Sequence, residues 1–312
     1  MYLGIDVGGT SIKSAILDGE NLVAQRTIPT EANLGAASVL IKLRTLIREY
    51  FGEYPKIRAV GVGVPGVVDA MGNVLVSPNL PDWENIPLLK FLRNYSDVPL
   101  AVENDANAAA LAEMYEGTGK DKDSFIYVTL GTGVGGAIIY HKELIRGESS
   151  GAGEIGYTII DYNCRSKTQI KYKQGTFESF LGKNSILSIA SDEAAKDKSS
   201  KLNIKSNLDV VDIYNFAVEG DTAGRKVLQK AGEILGYGLS SAMNLLDIST
   251  VIVGGGVANA GELMFESAKK VMRMHLLPPL AEKFELRSAR YLSDTGVRGA
   301  ALLGKSLIEV KF

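Results

Sequence analysis

A strand, a Gly/Thr turn and another strand occur twice in this chain, and that repetition limits the folds open to it. In the first copy Tyr2 to Val7 alternates apolar and polar residues, Gly8-Gly9-Thr10 follows, and Ser14 to Leu17 reads as the return strand. The second copy is Ile126 to Leu130, then Gly131-Thr132-Gly133-Val134-Gly135-Gly136, then Ala137 to Tyr140. Each pairing predicts a hairpin whose glycines take positive φ and bring the backbone close to a ligand. Such a turn aims successive N–H groups into one concavity, a geometry that suits phosphate oxygens. Thr10 and Thr132 add hydroxyl donors. Asp6 stands where a carboxylate can hold Mg2+ through water, because Mg2+ keeps much of its hydration shell. Lys13 is either a neutraliser of phosphate charge or a solvated strand residue. Alone, the first copy reads equally well as an ordinary glycine hairpin with an exposed acid; the second copy favours two turns gripping one polyphosphate. Neither is a Walker A loop or a dinucleotide fingerprint, since no Gly-Lys-Ser/Thr occurs in them and a strand, not a helix, follows each turn.

Size and charge narrow the reading. A chain of 312 residues suggests about two domains, and 46% apolar residues are enough for sizeable cores. The net charge of -2 gives no broad basic surface for nucleic acid. The single cysteine, Cys164, excludes an internal disulfide framework and a multi-cysteine zinc site. Met1 leads directly into a strand without a signal-like segment, and no run approaches the ~20 apolar residues of a membrane span. The expectation is a cytoplasmic protein with no membrane partner.

Strand and helix patterns alternate in both halves. Leu34 to Tyr50 and Ala106 to about Tyr115 read as helices, and Ile57 to Val64 as a buried strand ending at Pro65-Gly66. In the second half, Ala223 to Leu246, Ala260 to Met274 and Gly296 to Val310 read as helices, and Ser249 to Val253 as a strand before Gly254-Gly255-Gly256. Ser191 to Asn207 is polar and reads as a surface excursion. The fold class is therefore α/β, with two related domains and a cleft between them. Gly117 to Lys122 is the best boundary. Residues 1–117 form the first domain, 118–295 the second, and a final helix over 296–312 is expected to pack back on the first.

The segments DVGGTSIK (6–13), GVGVPG (61–66), the Asn79 turn, ENDANAAA (103–110), TLGTGVGG (129–136), GAGEIG (151–156) and VIVGGGV (251–257) together resemble the ROK group of sugar kinases and sugar-responsive repressors. That group lies within the actin/hexokinase/heat-shock ATPase superfamily. The resemblance implies two ribonuclease-H-like domains, with ATP bound by the two hairpins and sugar deeper in the cleft. It implies that Asp105 is the catalytic base, orienting a sugar hydroxyl and accepting its proton; the alternative is a helix N-cap before Ala106. Asn104, Asn79 and the backbone near Gly66 would line the sugar pocket, with Glu154 as a second carboxylate. Glu178 is either a third sugar carboxylate or an exposed helical acid. Gly254, Gly255 and Gly256 would lie beneath adenine and ribose, or form a simple strand-to-helix turn. Gly8, Gly9, Thr10, Gly131, Thr132, Gly133 and Gly135 would hold the ATP phosphates, with Mg2+ at Asp6. The resemblance also favours a homodimer.

The departures from that group matter. Many members carry His after Gly-Glu-x-Gly and then a cysteine cluster binding structural zinc. Here Tyr157 replaces the His and Cys164 stands alone, so no zinc is expected. Tyr157 puts sugar identity in doubt, because a phenol can stack on a second sugar ring. The run Arg165, Lys167, Lys171 and Lys173 is either a solvated loop or a contact for an anionic substrate. The expected activity is ATP-dependent phosphorylation of a hexose at its 6-hydroxyl, glucokinase-like. Alternatives are a β-glucoside, disaccharide or N-acetylhexosamine kinase, and a non-catalytic sugar-sensing regulator. A regulator would need a recognition helix before the hairpin, where the sequence leaves no room.

Overall fold

The computed structural model describes residues 1–163, 173–291 and 294–309. The chain forms two compact units: Met1–Asp121 with Glu143–Ala152 and Asp294–Phe312, and Lys122–Lys142 with Gly153–Ser293.

In the first unit β1 (Tyr2–Val7), β2 (Ser11–Asp18) and β3 (Asn21–Pro29) form an antiparallel meander, and α1 (Ala36–Glu53) follows. Next come β4 (Ala59–Val64), a small sheet of β5 (Val67–Val68), β6 (Val74–Val76) and β7 (Glu84–Ile86), and α2 (Leu88–Arg93). Then β8 (Leu100–Asn104) runs straight into α3 (Asp105–Tyr115). The main sheet has the order β3–β2–β1–β4–β8, with β4 parallel to both β1 and β8. Strand alternation divides its faces. Leu3, Ile5, Val7, Val60 and Val62 bury against Val39, Leu43, Leu46, Ile47 and Tyr50 of α1. Each fully buried aliphatic chain there contributes roughly 1.5–3 kcal/mol of transfer free energy.

The second unit repeats the scheme. β9 (Phe125–Leu130) and β10 (Val134–Tyr140) are its meander strands, and β11 (Glu143–Ile145), from the Glu143–Ala152 segment grouped with the first unit, lies next to β10 in the same sheet. The helices α4 (Phe177–Leu181), α5 (Lys183–Lys196), α6 (Val210–Val218) and α7 (Thr222–Leu246) follow. Then come β12 (Thr250–Gly254), α8 (Gly261–His275), α9 (Pro278–Ala281) and β13 (Glu285–Ser288). Sheet order is β11–β10–β9–β12–β13, with β12 parallel to β9 and β13. Both sheets thus show the same arrangement, a meander followed by parallel strands, which is the ribonuclease-H-like layout of the actin-like ATPases. The glycines of α7 let α8 approach closely: a Cβ at Gly236 would lie 2.7 Å from Ala268 O, and one at Gly232 would overlap Met264 O.

The last helix, α10 (Thr295–Glu309), covers the first sheet's other face. Gly4 of β1 and Gly61 of β4 have no side chain, and a Cβ at Gly61 would overlap Ala300 O while one at Gly4 would lie 2.7 Å from Ala301 N. Glycine at these positions lets α10 sit directly on the strands.

The polar stretch Ser191 to Asn207, read as a surface excursion, is largely exposed and contains regular structure. Residues 191–196 complete α5, and Lys201–Asn203 form a single 3-10 turn. The polar pattern hid this because Glu193 is buried yet paired, accepting from Lys196 and Lys230 at 2.7 and 2.6 Å. Cys164, Arg165, Lys167 and Lys171 lie outside the described residues.

Candidate active site

Parallel pairing lines up the acidic residues of the first unit. Register places Asp6 opposite Gly63, and Gly63 opposite Glu103, with Asn104 one step on. All lie at the carboxyl ends of β1, β4 and β8, the edge where ligands collect in open α/β sheets. A Cβ at Gly63 would find Asp105 Cα at 3.7 Å and Asp6 Oδ1 at 3.9 Å, so this glycine separates the two carboxyl-bearing residues without filling the space. Asp6 is partly buried and accepts no hydrogen bond among the described residues. Desolvation pushes its pKa up to about 6, opposed by Lys13, its cross-strand neighbour. A desolvated carboxylate without a donor suits a hydrated cation. No group of three or more His, Cys, Asp or Glu side chains among the described residues is arranged to share a metal ion.

The β8–α3 junction assigns the cap differently from the sequence reading. Asn104, not Asp105, is the N-cap: its Oδ1 accepts from Asn107 N–H at 3.0 Å. Its Nδ2 donates to Gly66 O at 2.9 Å, which Gly66 presents from a left-handed conformation at φ 108°. Asn104 therefore locks the loop after β4 to the start of α3, leaving one N–H and one lone pair of its amide for a ligand. Asp105 is the first helical residue, and its Oδ1 accepts from Ala106 N–H at 2.8 Å. Behind it, Glu103 is buried and accepts from Asn107 Nδ2 at 3.0 Å and from Arg146 Nε and Nη2 at 3.0 and 2.9 Å.

The first turn departs from expectation in one respect. Gly8 and Gly9 do not take positive φ. Crowding explains the glycines better: a Cβ at Gly9 would lie 3.1 Å from Asn79 O, and one at Gly8 2.9 Å from Ser11 O. Gly8 N–H donates to Ser11 O at 2.9 Å, and Thr30 Oγ1 donates to Gly8 O at 2.6 Å. The amides of Gly9 and Thr10 find no acceptor among the described residues. Asn79 is exposed beside them and Lys13 is exposed on β2.

In the second unit Gly131 and Gly133 also avoid positive φ. Lys183 N–H donates to Gly131 O at 3.0 Å, and Glu178 Oε2 accepts from Val134 N–H at 3.0 Å. The amides of Thr132 and Gly133 find no acceptor among the described residues, and Gly131 has open space where a Cβ would stand. Gly135 is partly buried in β10. Across β9, Gly255 takes φ 84° and lies so close to Leu130 that a Cβ would overlap its carbonyl. Gly254 packs on Tyr127, and Gly256 is exposed, with open space where a Cβ would stand.

Glu154 is partly buried, and Tyr157 is 38% exposed. Burial pushes the Glu154 carboxyl above its usual range; Glu178 raises it further, and Lys173 lowers it. Lys173 Nζ pairs with Glu178 Oε1 at 2.6 Å and lies 5.8 Å from the Tyr157 ring centroid. Glu178 is thus neither a bare exposed acid nor a free one. Sequence reasoning missed three contributors here: Thr30, the Arg146–Glu103 pair, and Lys173 as a partner of Glu178. No spacing signal marks them, since each acts on a residue at least five positions away.

Residues 2–306 match the ROK family model. The chain belongs to the ROK family. It is 31% identical to a glucokinase of Halalkalibacterium halodurans over 97% of this chain and 94% of that protein. It is 28% identical to an N-acetylmannosamine kinase of Yersinia pseudotuberculosis, over 97% and 98%. A ROK family glucokinase from Streptomyces griseus, solved in complex with glucose and AMPPNP, superposes with a TM-score of 0.83 at 28% identity, covering 98% of this chain and 99% of that one. No helix among this chain's described residues is long and apolar enough to cross a membrane.

Proposed function

We propose that this ROK protein is an ATP-dependent kinase that phosphorylates a hexose at its 6-hydroxyl. The observation that carries the reading is the edge of the first sheet, where Asp6 and Asp105 flank Gly63 next to a turn with unused amides. A kinase needs these parts: donors for phosphate oxygens, a carboxylate for the metal and a carboxylate for the acceptor hydroxyl. Donor complementarity supports the turns as phosphate ligands, through Gly9 and Thr10 in the first unit and Thr132 and Gly133 in the second, with Gly254–Gly256 under the base. Asp6, desolvated and without a donor, fits Mg2+ through water. The cation, when bound, neutralises charge on the phosphates.

Asp105 orients the sugar hydroxyl and takes its proton as the oxygen bonds to the γ-phosphorus and ADP departs. An ordinary carboxylate suffices, because the hydroxyl acidifies late in a loose transition state. Asn104, Asn79, Glu154 and Glu178 are the remaining groups offered to the sugar. A coupled assay of ADP release over glucose, mannose, N-acetylhexosamines and disaccharides tests the proposal. Folded protein that releases no ADP in response to any sugar refutes it.

A second reading of the substrate rests on Tyr157, a residue 38% exposed. An exposed aromatic face stacks on the apolar face of a second sugar ring. A β-glucoside or disaccharide turned over faster than glucose, with the preference lost in Tyr157→Ala, favours it.

A further inference from the structure

The charge brought to the second turn is unusual for a site that takes phosphate. Glu178 uses its two oxygens separately: Oε2 braces the Val134 amide at the end of the turn, and Oε1 meets Lys173. The bracing oxygen is packed so closely on the turn that a Cβ at Gly133 would overlap it. A carboxylate in this position fixes the turn but also opposes any polyanion that comes to Thr132 and Gly133. At an effective dielectric of about 20, two unit charges a few ångströms apart interact by several kcal/mol, so the opposition is not negligible.

We propose that Lys173 is a positioning residue for nucleotide binding: it neutralises Glu178 so that this carboxylate can brace the second turn without repelling the phosphates. The proposal rests on the kinase reading of that turn.

Three features support it. Both side chains are largely withdrawn from water, at 20% and 21% exposure, so the pair is less screened than a surface one. The Lys173 backbone is fixed, its carbonyl accepting from Thr176 Oγ1 at 2.8 Å, so the ammonium is delivered from an anchored position. The same ammonium lies within cation–π range of Tyr157, and its field reaches Glu154 as well as Glu178. One cation thus serves the turn, the aromatic ring and both carboxylates. A merely structural ion pair would not show selective dependence on a nucleotide.

The test measures binding of Mg-AMPPNP by calorimetry, with melting temperature as a folding control and steady-state kinetics alongside. Lys173→Met weakens AMPPNP binding about tenfold and raises the KM for ATP similarly, with a much smaller change in kcat. Lys173→Arg restores most of the affinity, and Lys173→Gln provides a polar neutral variant if the Met variant folds poorly. The decisive comparison is the double variant. Once Glu178→Gln has removed the opposing charge, adding Lys173→Met leaves affinity where Glu178→Gln alone puts it. Wild-type affinity in a folded Lys173→Met protein overturns the proposal, as does an equal loss in both backgrounds. A folded wild type that binds no AMPPNP overturns the kinase reading itself, and the two failures are therefore distinct.

Discussion

Replacing Asp6 by Asn is expected to stabilise the ligand-free protein while removing its activity. Burial holds the Asp6 pKa at about 6, against 3.8 for an ordinary aspartate. Each pK unit corresponds to about 1.4 kcal/mol, so carrying the ionised carboxylate at neutral pH costs the fold about 3 kcal/mol. The N-terminal turn of α10 reduces this. Gly296 is packed so tightly on the Asp6 carboxylate that a Cβ there would collide with it, and the positive end of a helix favours an anion by about 0.3–1 kcal/mol. A net cost of about 2 kcal/mol remains. The folded state binds the proton more tightly than the unfolded one, so wild-type stability falls as pH rises from about 4 to about 6 and is flat above. Asn carries no such charge. Below pH 4 the two proteins should therefore match, and at pH 7.5 Asp6→Asn should melt higher by roughly 4–8 °C for a domain of this class. Mg-ATP reverses the ranking, since a cation at Asp6 stabilises only the wild type. Differential scanning calorimetry across pH, with and without Mg-AMPPNP, reads all of this. An Asn variant no more stable than wild type at pH 7.5, or a gain that persists unchanged at pH 3.5, refutes the reasoning.

Asp105→Asn should lower kcat by about 10²–10⁴-fold while AMPPNP still binds, measured by coupled assay and calorimetry; undiminished turnover removes Asp105 as base. Gly61→Val should destabilise the first unit by at least about 1–3 kcal/mol in urea unfolding, because its Cβ enters the Ala300 carbonyl. Arg146→Met leaves the buried Glu103, among the described residues, with its partners Asn104 and Asn107 and should cost about 1–3 kcal/mol. Adding Glu103→Gln should recover much of that loss, and a double variant as unstable as Arg146→Met alone would argue against an uncompensated charge.

Regular elements with strong periodicity were legible in the sequence. The helix read over Ala223 to Leu246 is observed at Thr222–Leu246, and the strand read over Ser249 to Val253 at Thr250–Gly254. The family resemblance and the α/β class also stand on motifs that local sequence carries. Contacts across sequence distance were not legible. The polar stretch after Ser191 hid the end of α5, because the lysines that pair with Glu193 include Lys230, a residue of another helix. Glycine identity was legible at the two turns but its reason was not. Left-handed backbone and steric crowding select the same residue, and only coordinates show that Gly8 and Gly9 are crowded by Ser11 and Asn79. Likewise Asp and Asn are comparable N-caps, so the sequence could not say which of Asn104 and Asp105 faces the helix amides.

The two turns share a scheme but not a scaffold, and the difference has physical consequences. Neutral groups hold the first: the Thr30 hydroxyl on Gly8 O and the Thr30 amide on Thr10 O, at 2.6 and 3.0 Å. Neither bond involves a titratable group. The second turn is held by the backbone amide of Lys183 and by the Glu178 carboxylate, which is itself paired with a lysine. A charged brace is stronger than a neutral one, yet it imposes a field on whatever the turn receives. A charged brace can change only together with its counterion, because either partner left alone is an uncompensated, half-buried charge. Lys173 and Glu178 are thus better regarded as one unit of the second turn than as a basic loop residue and a helical acid that happen to meet.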